Sequence, residues 1–235
     1  MNRLVQPELL DTLPPDDPRA IGSRRDLCRI NWWMGNHGIM AGALRSHLPQ
    51  APTQITELGA GDGNFLLGVV QQFQTGQISD PPHPFSAKAT LLDLQKILTA
   101  KTRSAFGRLG WQAEPVVADV FDWSPAGDAK LVVVANLFLH HFEDARLAEL
   151  LDKVSQNARL FVAIEPHRFG WPSLVGSLLW FIGCNDVTRH DAVISIRAGF
   201  VDREISALWP DKANWELIER RAGLFSHVFI ARRRQ

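Results

Sequence analysis

Residues 57–65 read Glu57-Leu58-Gly59-Ala60-Gly61-Asp62-Gly63-Asn64-Phe65. A short strand is expected just before this run, over Gln54–Leu58, and the apolar spacing of Asn64–Phe73 predicts a helix just after it. Glycines in such a turn permit positive φ and let a ligand approach the backbone closely. Open α/β sheets bind ligands at the carboxyl ends of their strands, so the run predicts a ligand-binding turn.

On both sides of this turn the chain alternates between strand-like and helix-like segments. This alternation predicts a doubly wound, mostly parallel α/β sheet of seven strands with helices on both faces. A turn at Ala222-Gly223-Leu224 adds an antiparallel hairpin at the sheet edge. The further strands are expected at Ala89–Leu94, Glu114–Val120, Lys130–Leu139, Arg159–Ile164, Trp215–Arg220 and Phe225–Arg232, and the further helices at Gln95–Leu109 and Asp144–Asn157.

The first 50 residues are expected to form an N-terminal arm and a helical cap. Met1–Arg19 is polar and rich in Pro and Asp, which favours a loose arm and disfavours a secretory signal. Ser23–Leu48 is predicted to be helical, with Ser23 as its N-cap. Residues 51–235 are then the main domain, with Thr75–Ala87 as a Pro-rich connector and 169–210 as a lid insertion.

Charge and composition restrict the partners. Lys and Arg number 25, as do Asp and Glu, and the only dense basic run is Arg232-Arg233-Arg234, so a nucleic-acid partner is not expected.

Two distant cysteines match no metal or redox spacing, which favours a reducing, cytoplasmic setting and predicts no metal site. The apolar run Leu174–Ile182 is shorter than the about 20 residues of a membrane span, and is interpreted as a buried helix or a substrate lid, with transient interfacial contact left open.

The glycine-rich turn resembles the first motif of class I S-adenosylmethionine (SAM) dependent methyltransferases. The order of later motifs is similar too: Asp93 ends a strand where that family places the acid for the ribose hydroxyls, Asp119-Val120 resembles the adenine-contacting motif, and the run that starts at Asn136 resembles the fourth motif. The closing hairpin is also a hallmark of the family. The resemblance implies a Rossmann-like methyltransferase fold, an activity of the EC 2.1.1 type that leaves S-adenosylhomocysteine (SAH), and cofactor contacts from Glu57, Gly59, Ala60, Gly61, Asp93, Leu94, Asp119, Val120 and Asn136.

The charges at the turn agree with this cofactor. SAM carries a sulfonium and an ammonium but no phosphate, whereas the pyrophosphate of NAD prefers a helix N-terminus free of extra acids, and Asp62 lies at this one. The separation of Gly59 and Asp93 also exceeds the about 20 residues of dinucleotide folds. An NAD-linked oxidoreductase is therefore the weaker alternative, and a non-catalytic SAM-binding subunit that assists a partner enzyme is another.

The fourth motif bears on the methyl acceptor. Asn136-Leu137-Phe138 lacks the Pro-Pro-aromatic signature of amino-methylating DNA enzymes, whereas 139–144 resembles the Leu-His-Asp-Trp-Ser-Asp run of small-molecule O-methyltransferases. In those enzymes the histidine is the base, and it matches His140. The chain has no tyrosine, so a phenol is not available as a base. An unperturbed histidine is largely neutral at pH 7 to 8, as a base must be. A structural or cofactor-lining role for His140 remains the alternative.

Further candidates follow the fifth strand and lie in the two helical segments. His167 is a second candidate base and Arg168 could hold an anionic group, with a capped turn as the alternative. Trp33, His37, Trp171 and Trp180 are expected to wall an apolar substrate cavity, unless they are ordinary core residues. The predicted reaction is methylation of a small apolar or aromatic metabolite, most simply at oxygen, in secondary metabolism, by a monomer or homodimer. C- or N-methylation in lipid, quinone or polyketide metabolism is the alternative.

Overall fold

A computed structural model describes residues 2–50, 52–74, 87–125 and 131–234. The predicted connector Thr75–Ala87 lies outside the described residues apart from Ala87, and so does Lys130, the first residue of one predicted strand.

The described strands form one seven-stranded sheet in the order β3-β2-β1-β4-β5-β7-β6. Neighbouring strands among the first five pair in parallel, whereas β7 runs antiparallel to both β5 and β6. The predicted doubly wound sheet with a C-terminal hairpin is confirmed. The strands are β1 Gln54–Leu58, β2 Ala87–Asp93, β3 Trp111–Val117, β4 Leu131–Asn136, β5 Ala158–Pro166, β6 Trp215–Ala222 and β7 Ser226–Arg233.

Helices cover both faces of the sheet. Alternate residues of β4 enter two separate cores: Val132 and Val134 join one, and Val133 and Ala135 the other. A strand covered on both faces must be apolar throughout, which explains the uninterrupted run in the sequence. The helices are α1 Leu9–Thr12, α2 Pro18–Trp33, α3 Asn36–His47, α4 Asn64–Gln74, α5 Ala100–Arg108, α6 Asp144–Asn157, α7 Pro172–Phe181, α8 Asp186–Ala198 and α9 Glu204–Leu208.

Several boundaries differ from the prediction where strands and helices end. The third strand ends at Val117, so Asp119 lies in the loop beyond it, and the fourth ends at Asn136. Leu137 follows with a φ of +53°, and a 3₁₀ turn at Leu139–His141 begins two residues later. The polypeptide therefore turns away from the sheet at the point where its candidate site residues lie.

The predicted helix Ser23–Leu48 is in fact two helices. The side chain of Asp17 accepts a hydrogen bond from Arg19 N, and Pro18 follows as the first helical residue, which is a stronger start than Ser23 provides. Ser23 is buried inside α2, so the predicted N-cap is wrong. Gly35, with a φ of +70°, separates α2 from α3 because a left-handed residue ends the first helix.

The N-terminal arm is not loose. Arg3 bonds the Asp144 carboxylate and the Phe142 carbonyl, each at 2.6 Å. Farther along, both oxygens of Asp191 accept backbone N–H groups of α1, from Leu9 at 2.8 Å and Leu10 at 3.0 Å. Long-range contacts of this kind leave no local pattern, which is why the polar composition was misleading.

The insertion over 169–210 contains α7, α8 and α9. Helix α7 packs on α8 through Gly176, whose missing side chain leaves room for Val193. Trp180 and Phe181 of α7 are exposed, so α7 is not a fully buried helix, and its alternative role as a substrate lid stays a prediction. Among the described residues, no helix combines the length and the apolar character that crossing a bilayer requires.

Candidate active site

A cavity of about 990 Å³ opens at the carboxyl ends of β1, β2 and β4. Its sheet side is made by the glycine-rich turn and by the loops that follow β2, β3 and β4, and its other side by α1, α2 and the start of α3. Lining residues include Glu57, Gly59, Ala60, Gly61, Asp62, Asp93, Leu94, Asp119, Val120 and Asn136 on the first side, and Glu8, Asp11, Cys28, Asn31, Trp32 and His37 on the second. The structure thus brings every predicted cofactor residue to one cavity.

The glycine-rich turn has the backbone that its composition predicted. Gly59, Gly61 and Gly63 have φ values of +65°, +55° and +75°. A side chain at Gly61 would meet no atom within 4 Å, so this glycine faces open cavity. At Gly59 a Cβ would lie 2.2 Å from the Phe138 ring, so only glycine fits beneath that aromatic side chain.

Asp93 ends β2 and faces the turn. Its Oδ2 accepts a hydrogen bond from Gly61 N and its Oδ1 one from Gln95 N, both at 2.8 Å. A carboxylate offers about four lone-pair positions, so two further donors can still bind. The neighbouring acid Asp62 is held by the backbone and side-chain amides of Asn64. Negative charge is therefore fixed on both sides of the turn.

Glu57 is the most deeply buried acid of this group. Burial, followed by the negative charges of Asp62 and Asp93, raises its pKa well above the usual value. Its Oε2 is buried and has no hydrogen-bond partner among the described residues. A cation that binds nearby would stabilise the ionised form of such a buried, unpartnered carboxyl group, whereas another anion would destabilise it.

Three asparagines join the helical side of the cavity to the sheet. Asn31 Oδ1 accepts from Asn36 Nδ2 at 2.9 Å and from Asn136 Nδ2 at 3.0 Å. Ser226 on β7 donates to Asn36 at 2.7 Å. The end of β4 is thereby tied to α2 and α3, and Asn136 is positioned by Asn31 as well as facing the cavity.

The 3₁₀ turn after β4 is held by Glu165, a fully buried residue near the end of β5. Its Oε1 accepts from Phe138 N at 3.1 Å and from Leu139 N at 2.9 Å. Its Oε2 bonds His140 Nδ1 at 2.8 Å. Because the carboxylate accepts, Nδ1 carries the proton, and Nε2 of His140 points away from the sheet.

The partner of that Nε2 is Glu8, 3.2 Å away on the N-terminal segment. Burial lowers the pKa of His140, but the hydrogen bonds and charges of Glu165 and Glu8 outweigh it and raise the pKa to about 9. Burial raises the pKa of Glu8, but His140, His141 and Ser195 together hold it at about 2. The expectation of a largely neutral His140 is therefore wrong for the free protein, because two carboxylates flank the ring.

His141 lies beside His140, with the two ring centroids 4.4 Å apart. Its Nδ1 is 3.1 Å from Asp11 Oδ2, and its Nε2 is 4.0 Å from Glu8 Oε2. Ser195 of α8 donates its hydroxyl to the other oxygen of Glu8. We call Glu8, Asp11, His140, His141 and Glu165 the His–carboxylate cluster.

Some predicted residues are not brought to the cavity. Three predicted cavity-wall residues, Trp33, Trp171 and Trp180, are more than half exposed and lie outside the cavity lining. Trp32, the residue before Trp33, does line the cavity. The helix turns about 100° per residue, so an error of one position moves a side chain to another face.

His167 and Arg168 also lie elsewhere. The His167 ring stacks on His227 of β7, with centroids 5.9 Å apart, and burial lowers its pKa. Arg168 does not hold a free anionic group, because its guanidinium is buried against Glu204 at 2.6 Å and the carbonyl of Gly199.

Sequence reasoning missed Glu8, Asp11, Glu165 and Asn31. Only Glu165 had a readable signal, since a charged residue at the end of a central apolar strand needs a partner or a function. Glu8 and Asp11 come from the arm that was expected to be loose.

Known structures share this fold. A plantazolicin methyltransferase, BpumL, solved with SAH and a monoazolic desmethylPZN analogue, has a TM-score of 0.62 and 13% identity over 93% of this chain and 91% of its own. The mitomycin 7-O-methyltransferase MmcR has a TM-score of 0.56 and 19% identity over 96% of this chain. An O-methyltransferase family protein of Burkholderia thailandensis has a TM-score of 0.56 and 17% identity over 93% of this chain. This chain covers only 60% of the length of each of the last two.

These likenesses establish the Rossmann-like methyltransferase fold. No protein-family model matches the sequence, and no curated protein matches it.

Proposed function

We propose that this protein is a SAM-dependent methyltransferase that methylates a small molecule at oxygen. The observation that carries the proposal is the cluster of acids around the glycine-rich turn: Glu57, Asp62, Asp93 and Asp119 lie in or beside one cavity with the open face of Gly61. SAM is a cation at its sulfur and carries an ammonium group, so these acids favour it, Glu57 by releasing its proton when the cation binds. An NAD pyrophosphate would be repelled by the same acids.

The cavity suggests where each part of the cofactor lies. The backbone at Gly61 is open enough for the methionine portion, and the free lone pairs of Asp93 suit the two ribose hydroxyls. Asp119 and Val120 line the cavity beyond β3, where the adenine would lie. Glu57 also borders the cavity, and the positive charge of bound SAM would stabilise its buried carboxylate.

The acceptor would enter from the helical side. His37, Trp32 and the asparagine-lined end of α2 border that half of the cavity, and the His–carboxylate cluster lies at its end. Small-molecule acceptors are the substrates named for the plantazolicin and mitomycin enzymes, whose fold this chain shares. Methyl transfer is a single displacement, so the enzyme mainly aligns acceptor, methyl and sulfur and excludes water.

The role of His140 differs from that of a lone base. Its Nε2 is already bonded to Glu8, so we assign activation of the acceptor oxygen to the whole cluster rather than to one imidazole.

Calorimetry with SAH tests the cofactor assignment, and transfer of labelled methyl groups from SAM to a panel of phenolic, hydroxylated and carboxylic acceptors tests the reaction. Micromolar SAH affinity, worth about 8 kcal/mol, is expected. NADH binding without SAH binding would refute the proposal, whereas SAH binding without transfer to any acceptor would favour a non-catalytic SAM-binding subunit.

A further inference from the structure

The two histidines of the His–carboxylate cluster are arranged in the same way. Each has its Nδ1 held by a carboxylate, His140 by Glu165 at 2.8 Å and His141 by Asp11 at 3.1 Å. Each then directs its Nε2 toward a different oxygen of Glu8. His140 Nε2 lies 3.2 Å from Oε1, and His141 Nε2 lies 4.0 Å from Oε2. A single proton on His140 accounts for the shorter contact, but not for the parallel arrangement of His141.

This arrangement is characteristic of metal-binding histidines. Such residues almost always donate their second ring N–H to a carboxylate or carbonyl, which fixes the tautomer and leaves the other nitrogen free to bind the ion. Bonds of about 2.0–2.2 Å in a tetrahedral site place neighbouring ligand atoms roughly 3.3 Å apart. The ligand atoms offered by Glu8, His140 and His141 lie within 4.8 Å of one another, so small side-chain rotations bring all three to one ion. The ion takes the place of the Nε2 proton that His140 donates to Glu8, and that proton is released to solvent.

We propose that Glu8, His140 and His141 bind a divalent cation of the zinc class. Two imidazoles and one carboxylate suit zinc better than magnesium, which prefers oxygen ligands. All three residues line the cavity, so a fourth position would face the substrate, as in zinc sites that act in catalysis.

The metal's chemical role, unlike its binding, rests on the proposed function. An acceptor hydroxyl bound at the fourth position loses its proton to solvent more easily, because the cation stabilises the oxyanion. The oxygen lone pair then forms the new O–CH₃ bond while the C–S electron pair returns to sulfur. The products are the methyl ether or ester, SAH and one proton.

Metal binding is tested on the full-length protein after treatment with a chelator. We expect Zn²⁺ to bind with submicromolar affinity in calorimetry, and Co²⁺ to give the intense visible absorption of a four-coordinate site. His141→Ala should weaken Zn²⁺ binding at least 100-fold. Asp11→Asn, which changes a mostly exposed side chain and removes only the carboxylate behind His141, should weaken it 10- to 100-fold.

The matched control is His47→Ala, which removes a histidine of α3 that bonds the Ala43 carbonyl of its own helix and lies outside the cavity lining. It should leave Zn²⁺ affinity unchanged. If the unmodified protein fails to bind Zn²⁺, or if all four proteins bind it equally, the metal site is refuted. SAH titrations of the same samples separate the two proposals, since SAH binding without Zn²⁺ binding refutes only the metal, and the reverse refutes only the cofactor assignment.

Discussion

Nε2 of His140 donates a hydrogen bond to a carboxylate oxygen of Glu8 across 132 residues of sequence. The contact joins the turn after β4 to the N-terminal segment, and both residues are buried. Two distant parts of the chain therefore form the side of the cavity where Glu8 and His140 lie.

Replacing His140 should damage turnover and spare cofactor binding. His140→Ala removes the central member of the cluster, so kcat should fall about 100-fold or more while SAH affinity stays within about twofold. Steady-state kinetics and calorimetry on one preparation measure both, with His47→Ala as the control expected to keep full activity. If turnover survives in His140→Ala and is lost in His167→Ala, the acceptor is activated at the end of β5 and not at the cluster.

Gly61 should be intolerant of any branched side chain. Gly61→Val imposes strain at a φ of +55° and fills the open space that the ligand needs, so SAH affinity should fall below detection. Gly223→Val is the matched control, because Gly223 has a φ of +64° and open surroundings in the β6–β7 turn. Equal loss of SAH binding in both variants would mean that general destabilisation, not the cavity, is responsible.

Cofactor binding should release a proton from Glu57. In the free protein the raised pKa keeps this carboxyl protonated up to higher pH than usual, and a bound cation favours the carboxylate and lowers that pKa. SAM affinity should therefore increase with pH between the two pKa values. Calorimetry in buffers of different ionisation enthalpy counts the protons released.

Glu57→Gln serves as the control for this pH dependence. The amide cannot ionise, so the variant should bind SAM roughly 5- to 100-fold more weakly than the unmodified protein. The SAM affinity of the variant should also lack the increase with pH that comes from Glu57. An unchanged pH profile in the variant would assign the proton to another group.

The Glu8 contact should also stabilise the fold. Glu8→Ala leaves the charged His140 with one buried partner instead of two, and in chelator-treated protein we expect the free energy of unfolding to fall by about 3 kcal/mol. Urea denaturation measures this. Glu149→Ala breaks an exposed ion pair with Arg146 and should cost under about 1 kcal/mol. Comparable losses in the two variants would show that the buried contact contributes nothing special.

Hydrogen exchange distinguishes the predicted N-terminal helical cap from the predicted lid insertion. Amides of α1 and α2 should be protected when SAH and acceptor bind, because these helices line the cavity. Helix α7 should show unchanged exchange, since its described residues lie outside the lining and its outer face is exposed. Protection of α7 alone would mean that the insertion closes over the ligands after all.

The sheet and the cofactor half of the site were predictable because their signals are local. The Gly59–Gly63 turn and the apolar run of β4 each depend on neighbours within a few residues. Asp93, at the end of its strand, follows from the same alternation. The predicted bounds of α6 match the structure, since its apolar period extends from Asp144 to Asn157.

The acceptor half was not predictable to the same degree. The position of Glu8 depends on Asp191, which bonds the two following amides from 182 and 181 residues away. The ionisation of His140 depends on Glu165, which is adjacent only once β4 and β5 pair. Trp180 on α7 and Trp171 just before it had the composition of a cavity wall, but both are exposed and lie outside the cavity lining.

The bonds from Asp191 to the start of α1 also impose an order of assembly. The residues that make the cofactor turn and its acids, 57 to 120, are all synthesised before residue 191. Glu8 is translated earlier than any of them, yet it stays without its anchor until α8 has emerged and folded. The N-terminal side of the cavity therefore takes shape only after a helix synthesised about 180 residues later is in place.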